Sequence, residues 1–179
     1  MQIVILRYGH RDIRDYRVTS HCALVARAFG AQKIIIEGNE DAQIRKTVFG
    51  VNKNWGSNFE IEFTDSWKKT LQEYKKKKFF SIHLTMYGLP LEKCTAKIRK
   101  QKKILVIIGS QKVETEVYHK ADANISVTQQ PHSEIAALAV ALDWAQKGKE
   151  LGKKFKNAKI RIVPQEKGKK VIGTKRKAE

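Results

Sequence analysis

The chain has 179 residues, 41% apolar and 30% charged, a balance that suits one soluble globular domain with room for a small appendage. No apolar run approaches the length needed to span a bilayer. The opening Met1-Gln-Ile-Val-Ile-Leu-Arg7 lacks the length and basic start of a signal peptide, so a cytoplasmic protein is expected. Lysine and arginine number 36 against 18 acids, a net charge of +18 that favours polyanions, with nucleic acid the leading partner and a lysine-rich surface without a ligand the alternative. Cys22 and Cys94 lie far apart with no CxxC partner and read as reduced thiols.

In chain order, Ile3 to Leu6 reads as a first strand. A polar segment from His10 to His21 follows, and a helix from about Thr19 to Phe29 carries Cys22, Val25, Ala26 and Phe29 on one face and stops at Gly30. Lys33 to Ile36 is a buried strand, Asp41 to Asn54 an amphipathic helix, and Phe59 to Phe63 a strand near a sheet edge. Asp65 or Ser66 caps a helix reaching Tyr74. The run Lys75 to Lys78 reads as a solvated turn. Phe79 to Leu84 is the next strand, followed by a turn, Met86 to Pro90, and a lysine-rich helix, Leu91 to Lys100. Ile104 to Ile108 is five branched apolar residues in a row, the pattern of a central parallel strand. A short helix to Lys120 and a strand from Ala123 to Val127 lead to a helix from Ser133. Between Ile135 and Ala145 that helix carries one charge, Asp143, so it is expected to be buried on all sides, in part against a second subunit.

This alternation predicts an α/β fold with a mainly parallel sheet flanked by helices. Residues 1–153 are expected to form the main domain. Residues 154–179 are expected to form a C-terminal appendage: a β-hairpin built from Ala158 to Val163 and Lys169 to Ile172, then a basic tail. Ligands of open α/β sheets bind at the carboxyl ends of strands. Three loops there draw notice: Leu84 to Gly88, Gly109 to Val113, and Thr128 to Ser133. Ser133 is placed to cap the last helix, to touch a ligand, or both.

Ile34-Ile-Ile-Glu37 imitates the second strand of a dinucleotide fold, whose terminal acid binds ribose. However, the chain contains no GxG and no GxxxxGK[ST]. A nucleotide-like ligand here is expected to lack phosphates. Arg11, Arg14 and Arg17 recur every third residue, interleaved with Asp12 and Asp15, and read either as a salt-bridged solvent loop or as a phosphate-binding arginine cluster. The five histidines and two cysteines show no metal-ligand spacing. His21 and Cys22 are neighbours in sequence and so face different ways on a helix. Trp55, Trp67 and Trp144 read as core or interface residues.

Three blocks resemble the SPOUT, or α/β-knot, methyltransferases, and within them the archaeal tRNA (cytidine(56)-2′-O)-methyltransferase family. They are Leu6 to Ala31, His83 to Leu89 with Ile108 to Val113, and Gln130 to Val140 with its Gln-Pro-His-Ser-Glu run. The similarity extends over nearly the whole chain. It implies a trefoil knot in the C-terminal half, a homodimer, and S-adenosylmethionine held by the three strand-end loops. The implied cofactor residues are Leu84; Gly109, Ser110, Gln111, Lys112 and Val113; and Val127, Thr128, Gln129, Gln130, Pro131, His132, Ser133 and Glu134. The implied substrate is the ribose 2′-hydroxyl of a T-loop cytidine in tRNA. Where many family members carry Gly-Ala-Glu-Lys, this chain has Gly-Ser-Gln-Lys, and the arginine and asparagine of other SPOUT ribose methylases are replaced at Leu24 and Pro131.

A ribose hydroxyl is a poor nucleophile while protonated, so a base or a cation that stabilises the developing alkoxide is required. Arg17 and Arg14 are the first candidates for this role, followed by His21 and His132. A SPOUT base methylase and a non-catalytic RNA-binding module are the competing readings.

Overall fold

In the computed structural model, residues 1–109 and 113–173 are described, apart from the side chains of residues 12–14. Six strands form one parallel sheet: β1 (Gln2–His10), β2 (Lys33–Gly38), β3 (Glu60–Thr64), β4 (Phe80–Pro90), β5 (Lys103–Gly109) and β6 (Ala123–Ser126). Their order is β3-β2-β1-β5-β4-β6, which places the branched run of β5 at the centre and β3 at an edge, as the sequence predicts.

Alternate residues of each strand feed two apolar cores. Ile3, Ile5, Ile34, Ile36, Ile104 and Val106 face α1 (Asp12–Ala28), α2 (Ala42–Trp55), α4 (Leu91–Arg99) and α6 (Glu134–Gln146). Val4, Leu6, Ile35, Leu105 and Ile107 face α3 (Trp67–Lys76) and α5 (Thr115–Lys120). A central strand buried on both faces needs apolar residues at every position, which is why β5 reads as an unbroken run. Glu37, the mimic of a ribose-binding acid, instead accepts from the backbone N–H of Gly9 at 3.1 Å and of Trp67 at 3.2 Å, tying β1 to the first turn of α3.

The first helix begins earlier than the sequence predicts, at Asp12 and not near Thr19. Asp15 closes its first turn by accepting from the backbone N–H and the Nε of Arg11, each at 3.2 Å. The inner face of α1 starts with the buried polar residues Asp15, Thr19 and Ser20, and becomes apolar only at Cys22, Ala23 and Ala26. Periodicity read from apolar residues alone therefore misses the first two turns.

The fourth strand also runs longer than predicted. β6 pairs with Ile82 to Leu84 and, past an irregularity, with Leu89 and Pro90 of the same strand. Gly88 allows this, because a Cβ there would lie 2.3 Å from the backbone nitrogen of Ile125.

Helix α6 is capped by Ser133, whose Oγ accepts from the Ile135 N–H at 3.1 Å. It buries Ala137, Leu138, Ala141, Leu142 and Ala145, but Val140 and Trp144 are 39% and 40% exposed. Within one chain the helix is therefore not buried on all sides. Its apolar character exceeds what the α1 and α4 contacts consume.

The appendage is an antiparallel hairpin of β7 (Ile160–Val163) and β8 (Lys170–Gly173). It is anchored at the end of α2 by a 2.9 Å bond from Lys159 N–H to the Asn54 carbonyl. Just before it, Phe155 lies under the buried Arg27 guanidinium, which also donates to Asn52 Oδ1 at 3.1 Å and to the Gly56 carbonyl. The basic tail beyond residue 173 lies outside the described residues.

Candidate active site

A cavity of about 370 Å³ opens at the carboxyl ends of β4 and β5. Its walls come from His83 to Tyr87 on β4, Ile108 and Gly109 on β5, Val113 and Tyr118, the loop residues Val127, Gln130, Pro131 and His132, and Glu134 and Ala137 of α6. The three strand-end loops singled out by sequence thus converge on one space. The reason is topological: parallel strands connected by helices bring successive loops to the same sheet end.

Of the expected cofactor residues, Leu84, Gly109, Val113, Val127, Gln130, Pro131, His132 and Glu134 line the cavity. Ser110, Gln111 and Lys112 lie outside the described residues. Thr128 and Gln129 are not on the cavity wall. Thr128 Oγ1 instead accepts from Gln130 N–H at 3.2 Å, shaping the turn, while Ser133 serves as helix cap.

The structure adds His83, Thr85, Met86, Tyr87, Ile108, Tyr118 and Ala137 to the wall. Thr85 to Tyr87 were legible as part of a strand-end loop. Tyr118 carried no signal, because it comes from α5, a helix too short to show a face.

His83 is buried, donates from Nδ1 to Asn124 Oδ1 at 3.0 Å, and packs edge-on against Tyr118 with ring centres 4.7 Å apart. Burial lowers its pKa below the usual imidazole value, with the Asn124 bond opposing. His83 is therefore neutral near pH 7.

Among the described lining residues there is no lysine or arginine, and Glu134 is the one carboxylate.

The catalytic candidates are spread out. His132 lines the cavity, with Nδ1 donating to the Ser133 carbonyl at 3.0 Å. Arg17 and His21 are exposed, one helical turn apart on the outer face of α1, and neither lines the cavity. The side chain of Arg14 lies outside the described residues. Burial pushes the Cys22 thiol up to about 12, so it is an inert core residue and no partner for His21.

A chain of buried polar groups lies at the carboxyl end of β1. Arg7 Nε donates to Thr19 Oγ1 at 3.1 Å, and Thr19 meets His10 Nδ1 at 3.0 Å. His10 Nε2 lies 3.8 Å from Asp41, the cap of α2. Gly9, at a φ of 72°, lets the end of β1 turn His10 toward α1.

This parallel sheet, with a cavity at its carboxyl ends and a doubled β4–β6 pairing, is the fold of the TrmH/SpoU methyltransferases. The A. aeolicus TrmH/SpoU tRNA modifying enzyme superposes with a TM-score of 0.63 at 16% identity, covering 84% of this chain and 76% of that one. AviRb from Streptomyces viridochromogenes, a SpoU methyltransferase solved in complex with AdoMet, gives 0.59 at 15% identity, covering 86% and 59%.

Sequence comparison narrows the class. The family model described as tRNA ribose 2′-O-methyltransferase, aTrm56, matches residues 55–172. The tRNA (cytidine(56)-2′-O)-methyltransferase of Thermococcus kodakarensis is 51% identical over 174 residues, 95% of this chain and 96% of that protein. Its namesake from Pyrococcus horikoshii is 50% identical, covering 99% and 88%. The chain belongs to the aTrm56 family of tRNA ribose 2′-O-methyltransferases.

Proposed function

We propose that this chain methylates the ribose 2′-oxygen of cytidine 56 in tRNA, with S-adenosylmethionine as methyl donor. The observation that carries the reading is the cavity itself. Its volume of about 370 Å³ suits a small ligand. Its described walls mix apolar and neutral polar residues, offer one carboxylate and present no lysine or arginine. That donor set fits a phosphate-free cation. When bound, S-adenosylmethionine supplies a methyl group made electrophilic by its sulfonium.

The residues of the chain would divide the remaining work. Leu84, Gly109, Val113, Val127, Gln130, Pro131 and Glu134 hold the donor, joined by Ser110, Gln111 and Lys112, while Thr128, Gln129 and Ser133 shape the loop around it. Arg17 and Arg14 stay protonated, so they stabilise the developing 2′-alkoxide and anchor phosphates and do not take the proton. His132, whose Nδ1 is engaged with the Ser133 carbonyl, has Nε2 left to accept one. His21 stands beside Arg17 on the same helix face and faces the RNA with it. The net charge of +18 draws in the tRNA backbone.

Two further parts of the reading concern architecture. The likeness in fold to the TrmH/SpoU methyltransferases supports a chain threaded as a trefoil knot. The exposed stripe Ala136, Val140 and Trp144, spaced i, i+4 and i+8 on α6, supports a homodimer that covers it. No helix among the described residues is long and apolar enough to cross a membrane, and a cytoplasmic location fits work on tRNA.

The test is nucleoside analysis of unmodified tRNA incubated with the protein and S-adenosylmethionine. 2′-O-methylcytidine at position 56 is expected. A methylated base, or no product from a protein that binds tRNA, rejects the reading.

A further inference from the structure

Arg7 is the largest fully buried side chain among the described residues. It stands near the carboxyl end of β1, paired in register with Ile36 of β2 and Ile108 of β5. A guanidinium remains charged in proteins, and burying it is costly without a countercharge and hydrogen bonds. Its partners come from two different helices. Nε donates to Thr19 Oγ1 of α1 at 3.1 Å, and Nη2 lies 3.2 Å from Glu134 Oε1 in the first turn of α6. Neither Nη1 nor Nη2 makes a hydrogen bond within the described protein, so Glu134 meets Arg7 as an ion pair. The Glu134 side chain is 25% exposed and lines the cavity.

We propose that Arg7 is a positioning residue for the donor site, a bridge that locks Glu134 and the loop 127–134 to α1 through the Arg7–Glu134 ion pair. The inference rests on the methyl-donor reading of the cavity. Its physical basis is the location of the charge. A buried cation at this point gives the sheet core nothing that an isoleucine would not supply better, since an apolar replacement of a buried ion pair is often neutral or stabilising. What the cation supplies is direction: the first turn of α6 can approach the sheet only where its carboxylate meets the guanidinium. Two walls of the cavity are the ends of β4 and β5, fixed by the sheet. Loop 127–134 is another, and its far end is pinned by this pair.

A double-mutant cycle read by calorimetry with S-adenosylmethionine tests the proposal, using Arg7→Met, Glu134→Gln and the double variant, with thermal midpoints measured alongside. Each single change is expected to raise the donor Kd about tenfold, and the double change also about tenfold and not a hundredfold, because both remove one coupled contact. The KM for tRNA is expected to stay at the wild-type value, which a general loss of structure would not allow. Should Arg7→Met not fold, Arg7→Gln, which removes the charge and leaves a polar group for Thr19, completes the cycle. A donor Kd within twofold of wild type for Glu134→Gln, tighter binding by Arg7→Met, or effects that multiply would each overturn the proposal. Wild-type protein that gives no heat with the donor sinks the methyl-donor reading and the proposal together, whereas binding by wild type with unaffected variants sinks the proposal alone.

Discussion

The imidazole of His83 and the side-chain amide of Asn124 are held in one relative orientation across β4 and β6. Asn124 Nδ2 donates to the Tyr118 carbonyl at 2.8 Å, which turns Oδ1 toward His83 Nδ1 at 3.0 Å and so places the ring proton on Nδ1. The pair joins two strands and α5 at the cavity wall, and because His83 is buried its protonation is coupled to the fold.

The pKa of His83 is lowered in the folded protein, chiefly by burial, from an ordinary value of 6.5. The unfolded chain therefore binds the proton more readily than the native one. The stabilising contribution is present above pH 6.5 and is lost as pH falls below it toward the folded value. Thermal unfolding midpoints measured between pH 7.5 and pH 5 should fall on the acid side, and His83→Gln should flatten that part of the profile. A variant with the same acid slope as wild type would place the sensitivity elsewhere.

Gly88 is a packing position. A Cβ there meets backbone atoms of Ile125 and Asn124 at 2.3 to 2.6 Å, and backbone cannot move aside as a side-chain tip can. Gly88→Ala should destabilise the protein by about 1–3 kcal/mol, the usual range for overpacking a close contact. Chemical denaturation measures the loss, and an unchanged midpoint would show that β4 and β6 have slack. Gly50→Ala, where a Cβ meets nothing within 4 Å, is the control and should be neutral or mildly stabilising.

Arg17→Ala should lower the single-turnover rate with bound tRNA about 10²-fold, the size expected for removing one group that stabilises developing charge. Donor affinity should not change, since Arg17 does not line the cavity. The same measurement on Arg14→Ala ranks the two arginines. Full rates in both variants would remove the arginines from the chemistry and turn attention to His132.

Trp144 and Val140 define the exposed face of α6. Placing a charge in an apolar contact between copies is strongly unfavourable. Trp144→Glu should therefore shift the protein from dimer to monomer in sedimentation velocity, with the far-ultraviolet spectrum preserved. If wild type already sediments as a monomer, the stripe needs another occupant.

Much of this molecule can be read along the chain. The branched run Ile104 to Ile108, the caps at Asp41, Ser66 and Ser133, and the loops at strand ends all depend on residues near one another in sequence, and each stands where local chemistry places it. The missing phosphate motifs and the excess of basic residues are likewise properties of the sequence alone. Tertiary structure decided the rest. The inner stripe of α1 opens with Asp15 and Thr19, and Thr19 is a core residue because Arg7 and His10 lie buried opposite it. Tyr118 joins the cavity because α5 folds over β4, where its ring packs on His83 and its hydroxyl accepts from Thr85 Oγ1 at 3.5 Å, 33 residues away along the chain. The Arg7–Glu134 contact joins β1 to α6 and leaves no periodic trace. Local propensity is written in short-range spacing, whereas the partners of buried polar groups are chosen by the folded sheet, where a charge far along the chain is the nearest neighbour.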